Sequence, residues 1–264
     1  MHWLDRLTGH SPDPTSATDE MAQALAAARN GDYETALRLW EPLARSGVAR
    51  AQNNIGACFA EGLGVPQDRE LARTWLRLAA DAGDPVGERN YAAFHMRGVD
   101  GADGDYGIAA DYYRRAAEKG DAPAQDMLSW MLLEGEIMTP DPAEARRWAE
   151  RAAEAGIASS MTRLGMLYHN ASGVERNPEK AVHWWRRGAM AGDADAQAML
   201  GAACHLGAGT ARDGVAALAW LIRATTGGSA LAQPFIGPVR ENLSPVEISL
   251  AEGRALQPLG EERP

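Results

Sequence analysis

Cysteine is nearly missing from this chain of 264 residues: Cys58 and Cys204 are the whole complement. Two cysteines are too few for a disulfide framework, and 146 residues apart they show no metal-ligand spacing. Long apolar runs are missing too. Nothing approaches the roughly 20 residues of a membrane span, and Asp5 and Arg6 interrupt the opening "MHWLDRLTGHSPD" where a leader would need an apolar core. The expected location is therefore the cytoplasm, or the periplasm if a leader has been removed. Positive charge is in deficit, with a net charge of -10. Such a chain repels phosphate backbones and anionic membrane surfaces, so neither is an expected partner.

Signatures of catalysis are lacking. No S-x-x-K and no G-x-S-x-G occurs. "EGLGVPQD" (61–68) has paired glycines, but no lysine follows and no strand precedes it, so it reads as a turn and not a phosphate loop. "DGADGD" (100–105) misses the ligand spacing of a calcium loop and reads as a solvated turn. His169 and His205 hold equivalent places 36 residues apart, but two histidines without a third ligand make a poor metal site. No cofactor and no metal is expected.

What the chain has is repetition. Gly83, Gly120, Gly156, Gly192 and Gly228 are spaced by 37, 36, 36 and 36 residues, with Gly47 another 36 before the first. Eight positions ahead of each of the five stand Trp75, Tyr112, Trp148, Trp184 and Trp220, and three before those stand Ala72, Ala109, Ala145, Ala181 and Ala217. The half-unit A-x-x-W-x-x-x-A-[AT]-x-x-G has helical spacing. Its aromatic fills the gap beside small residues, and its glycine suits a left-handed helix end. The other half reads A-Q-x-x-L-G-x-x-[YF], as in "AQNNIGACF" and "AQAMLGAAC", again with helical spacing. Asp141-Pro142, Asn177-Pro178 and Ser244-Pro245 read as N-caps with proline at the first helical position, and Glu247 completes a capping box with Ser244. Each unit is helix, turn, helix, turn. A lone hairpin cannot bury its own apolar stripe, so neighbouring units must stack.

"AQNNIGACFAEGLGVPQDRELARTWLRLAADAGD" and "MTRLGMLYHNASGVERNPEKAVHWWRRGAMAGD" carry a resemblance to the Sel1-like repeat family, a relative of the tetratricopeptide repeats. The resemblance implies an all-α fold, a right-handed α-solenoid of stacked helix-turn-helix units with a concave groove. Five repeats are expected over 49–229. An N-terminal tail (1–17) and a capping hairpin (18–48) precede them; a single capping helix (230–257) and a tail (258–264) follow. Members of the family are mostly adaptors that assemble other proteins. Some cysteine-rich relatives carry a β-lactamase-like label, but the paired cysteines of that subgroup are absent from this chain.

By analogy with tetratricopeptide stacks, the first helix of each unit lines the groove. With Ile55, Tyr91, Leu128, Leu164 and Leu200 as core, the positions two before and two after face the groove: Asn53 and Ala57, Arg89 and Ala93, Asp126 and Trp130, Thr162 and Met166, Ala198 and Ala202, and one turn further Glu61, Arg97, His169 and His205. Arg89 and Arg97 suggest a carboxylate clamp. Trp130, off the aromatic ladder, suggests an anchor. Asn53 suggests a bond to a peptide backbone. The functional expectation is a non-enzymatic scaffold, monomeric or weakly oligomeric, binding a protein or peptide in signalling or regulation. The rivals are a hydrolase of the cysteine-rich type and a self-assembling structural element.

Overall fold

The computed structural model describes residues 14–97 and 104–260. Fourteen α-helices follow one another among them, and no strand: α1 Pro14–Arg29, α2 Tyr33–Arg45, α3 Ala49–Glu61, α4 Arg69–Asp81, α5 Pro85–Met96, α6 Tyr106–Glu118, α7 Ala122–Glu134, α8 Pro142–Glu154, α9 Ala158–Asn170, α10 Pro178–Met190, α11 Ala194–Leu206, α12 Gly214–Thr226, α13 Gln233–Glu241 and α14 Pro245–Ala255. The fold class is all-α, built of tandem helical hairpins of the solenoid type. The chain divides at Ala124/Gln125, inside the first turn of α7, into two compact units. Most of the acidic stretch 100–105 and the two chain ends lie outside the described residues. Asp105 is described, and its carboxylate caps α6 by accepting from the Ile108 N–H.

Local chemistry sets the helix boundaries. Asp32, Asp68, Asp84, Asp105, Asp141, Asn177, Asp193, Asp213 and Ser244 each accept a bond from the backbone N–H three residues on. Each such cap is worth about 1 kcal/mol against alanine. The repeat-ending glycines have φ between 79° and 93°, conformations open to glycine at little steric cost. The residue after each glycine bonds back over five positions, for instance Asp84 N–H to Ala79 O at 3.3 Å and Ser229 N–H to Ala224 O at 2.9 Å. That closes a Schellman motif and satisfies carbonyls the helix end would otherwise orphan.

The cores are built from the repeat. In the first unit Trp40, Leu43, Ile55, Trp75, Leu76 and Tyr91 are buried around Ala36, Ala51 and Ala72. In the second, Trp185, Leu200, Leu218, Trp220 and Leu221 pack against Ala181, Ala196, Ala203 and Ala217. Burying each large side chain is worth about 1.5–3 kcal/mol. The aromatic ladder is packing and not a stacking platform: Trp75, Trp148 and Trp220 are buried, Tyr112 and Trp184 half-buried. Small residues allow the helices to approach: a Cβ on Gly165 would fall 2.2 Å from Trp185 Nε1.

Gly64, in the stretch read as a turn, has a second role. Its φ is 70°, and a Cβ there would sit 2.7 Å from the Cβ of Tyr33, the first residue of α2. Gly173 and Gly209 press in the same way on the starts of α8 and α10, at Pro142 and Pro178. The loop thus rests on the N-terminus of the preceding hairpin's second helix. That close approach, and not a phosphate, is what the second glycine serves.

The C-terminal expectation of a single capping helix is corrected. A 3-10 turn (Ala230–Ala232) and two helices, α13 and α14, occupy this region. "AQPFIG" (232–237) stands 36 residues after "AQAMLG" (196–201), so α13 carries the first-helix period into a degenerate sixth unit, and α13 and α14 both pack on α12. Pro238 lies inside α13 and the turn to α14 is short, which hid the period. The Ser244–Glu247 capping box is present as the sequence predicts. At the other end, α1 already begins at Pro14, inside the stretch expected to be tail.

Candidate interaction face

The five core positions on first helices are buried as the spacing requires: Ile55, Leu128 and Leu164 at 0%, Leu200 at 1% and Tyr91 at 6% exposure. The polar positions beside them turn to one another between successive first helices. In the first unit Asn90 Nδ2 donates to Asn53 Oδ1 at 2.8 Å. Arg89 Nη1 donates to both oxygens of Asp121, at 2.9 and 3.1 Å. Asp121 also caps α7, accepting from the Ala124 N–H at 2.9 Å. Arg97 pairs with Glu61. In the second unit Asp126 accepts from Ser159 (3.0 Å), Ser160 (2.5 Å) and Arg163 (2.5 Å). Thr162 bonds Asp193 at 2.8 Å, and Ser229 bonds Asp195 at 2.6 Å.

These bonds correct two of the expected roles. Arg89 and Arg97 do not converge as a free clamp, because a carboxylate of this chain neutralises each. Asn53 is 97% removed from solvent and is bonded by Asn90, so it does not offer itself to an extended peptide. Pairing between successive repeats, invisible without the stack, decides what these polar residues do.

The remaining members are dispersed. Trp130 is half-buried on α7. Met166 is half-buried against the second-unit core. The His169 ring lies tilted against Trp185, with centroids 5.5 Å apart. His205 borders an open cavity of about 380 Å³ with Arg212, Asn242 and Glu247. Its carbonyl accepts from Arg212 Nε at 2.8 Å. Cys58 and Cys204 are free and buried; burial pushes the Cys58 thiol up to about 11 and that of Cys204 in the same direction. Among the described residues no three metal-ligating side chains cluster, and no helix is long and apolar enough to cross a membrane.

One cleft gathers several groove positions. Ala57, Ala60 and Glu61 of α3, Leu76 of α4, and Asn90, Ala93 and Phe94 of α5 line a cavity of about 150 Å³, with Arg97 closing the rim. Its floor is apolar, and its small residues leave the space that larger side chains fill elsewhere. Ala57, Ala93, Glu61 and Arg97 are groove positions from the spacing. Ala60 and Phe94 were missed: they belong to the turn between core and groove, which periodicity assigns to neither.

A family model described as "Sel1 repeat" matches residues 49–84, 85–121, 122–157, 158–193 and 194–229. The chain is a Sel1 repeat protein. Two solved structures share its repeat architecture. The Sel1 repeat protein from Oxalobacter formigenes is 26% identical with a TM-score of 0.78, over 93% of this chain and 99% of that one. c5321, a protective antigen of uropathogenic Escherichia coli strains, is 25% identical with a TM-score of 0.83, over 91% of this chain. This chain spans only 53% of that antigen. The immunity protein PA5088 from Pseudomonas aeruginosa, at 17% identity and a TM-score of 0.51, shares the fold alone. No curated protein sequence matches. Sel1 repeats are protein-interaction modules.

Proposed function

We propose that this Sel1 repeat protein is a non-catalytic scaffold that binds a protein or peptide, seating an apolar side chain in the cleft between α3 and α5. The observation that carries the reading is the cleft itself: about 150 Å³ over Ala57, Ala60, Ala93 and Phe94. A water molecule takes about 30 Å³ of liquid, so this space holds several waters or one aliphatic side chain. Replacing such waters by an apolar group favours binding.

The rim suits the same task. Glu61 and Arg97 are both exposed, and an exposed pair of this kind is worth about 0–1 kcal/mol. An incoming peptide can part them at small cost and use one donor and one acceptor. The buried free thiols favour a reducing compartment, the cytoplasm, and the acidic chain favours a protein partner over nucleic acid. We assign it to an adaptor role in bacterial regulation or signalling.

The test is a filled cleft. A partner recovered with the wild-type chain should bind Ala93→Trp at least about tenfold more weakly, as expected when an anchor pocket is blocked. The melting temperature should stay near wild type. Unchanged affinity in a folded Ala93→Trp variant removes the cleft from the binding site.

A further inference from the structure

Terminal repeats of a stack normally turn a polar face outward, because no further repeat covers them. α14 breaks this rule. Val246 is 78% exposed, Leu250 49% and Leu256 86%. With Gly253 they follow i, i+4, i+7 and i+10 and fall within an arc of about 120° on the helix surface. The stripe runs for about 15 Å at 1.5 Å per residue. The opposite face, with Ile248 and Ala251, is already packed in the second-unit core. A Cβ on Gly253 would meet nothing within 4 Å, so the middle of the stripe is open to close approach.

We infer that this face of α14 is an interface with a second copy of the same chain, the two α14 helices packing antiparallel about a two-fold axis. The charges on the stripe's edge select that occupant. Glu247 and Arg254 sit on the same flank, one near each end of the helix. In an antiparallel pair equal flanks meet, so a two-fold axis near Ala251 sets Glu247 against Arg254 of the partner subunit, and the reverse. The same axis sets Val246 opposite Leu256 of the partner subunit and brings Leu250 to the open surface at Gly253. Such a face is complementary to itself, as an isologous interface must be.

Among the described residues the Arg254 guanidinium has no carboxylate partner, whereas its neighbour Glu252 is held by Arg240 at 2.8 Å. The Glu247 carboxylate caps its own helix through one oxygen, Oε2, which leaves Oε1 for a cation. A head-to-tail stack is not favoured. The outward residues of α1 are Thr18, Asp19, Ala22, Gln23, Ala26 and Arg29, with no large apolar side chain to meet the stripe.

The experiment is sedimentation equilibrium of the full chain over a wide concentration range. A reversible monomer–dimer equilibrium is expected. Leu250→Glu falls twice in the dimer and should weaken association by about a hundredfold or more. Circular dichroism should report an unchanged fold. Arg254→Glu and Glu247→Arg should each weaken self-association, and mixing the two variants should restore a dimer, because both cross pairs are then opposite in sign. A monomer at every concentration overturns the inference. So does a dimer indifferent to Leu250→Glu, or a species that grows beyond two copies. Failure of the mixed pair to associate, with both variants folded, overturns the antiparallel arrangement.

Discussion

The wholly buried carboxylate of Glu88 lies 2.9 Å from Lys119 Nζ. Arg115 reaches the same oxygen at 2.7 Å, and Lys119 also donates to the Gly83 carbonyl at 3.1 Å. In three of the other four repeats this position holds glutamine (the fourth has Met161), and Gln52 and Gln197 donate to carbonyls at the end of the preceding helix, Ala44 O at 3.0 Å and Ala189 O at 3.2 Å. A carboxylate cannot donate, so the second repeat exchanges a neutral bond for an ion pair. Glu88→Ala removes the acceptor of both cations, which at 44% and 41% exposure can turn to water, and leaves the Ala80 carbonyl without an amide in its place; it should cost about 1–3 kcal/mol. Glu88→Gln should cost far less, because its amide can bond the Ala80 carbonyl as its equivalents do. Urea denaturation of both variants checks the order.

Ala171 ends α9 in the left-handed region, at φ 57°, where Gly62 and Gly207 end α3 and α11. It is the one non-glycine with positive φ among the described residues. A left-handed alanine costs about 1–2 kcal/mol. Part of that returns as unfolded-chain entropy when glycine replaces it. Ala171→Gly should therefore raise stability by about 0.5–1 kcal/mol, read as a higher melting temperature.

The thiols should be silent. Burial raises the Cys58 thiol to about 11, so its thiolate is scarce at neutral pH, and thiolate is the reacting form. Ellman's reagent at pH 8 should label neither Cys58 nor Cys204 in the folded protein and both in urea. Rapid labelling of the native chain would contradict their burial.

His95 should make stability fall in mild acid. Burial is the main cause that lowers its pKa below the ordinary 6.5; Arg73 adds to the effect and Asp105 opposes it. Among the described residues its Nε2 is buried without a partner, and its ring meets Tyr91 edge-on at 4.6 Å. A depressed basic group favours its neutral form when folded. Its contribution is complete above pH 6.5 and is lost as pH falls through the lowered folded value. Wild type should lose melting temperature below about pH 6.5, and His95→Phe should flatten that part of the profile.

How much of this was legible beforehand depended on the range of the interaction. Caps such as Asp141-Pro142 and the Ser244–Glu247 box lie within three residues, and the structure holds them where the sequence placed them. The 36-residue period likewise gave the hairpins and their buried faces. What stayed hidden was pairing between periods. Nothing local in "GERNY" says that Arg89 will meet Asp121 or that Asn90 will bond Asn53. The sixth unit escaped for another reason: Pro238 inside α13 and a shorter turn put α14 out of phase, although "AQPFIG" kept the period.

The stitches between first helices are each written differently, and so the repeats cannot change places. Asp126 meets Ser159, Ser160 and Arg163 of the next repeat. Delete residues 158–193, one whole period, and the helical register survives. The residues then brought opposite Asp126 are Asp195, Ala196 and Met199. Two carboxylates would face each other with no cation between them. A chain that looks periodic is, at its seams, an ordered text, and copying or dropping a repeat would cost it its grammar before its fold.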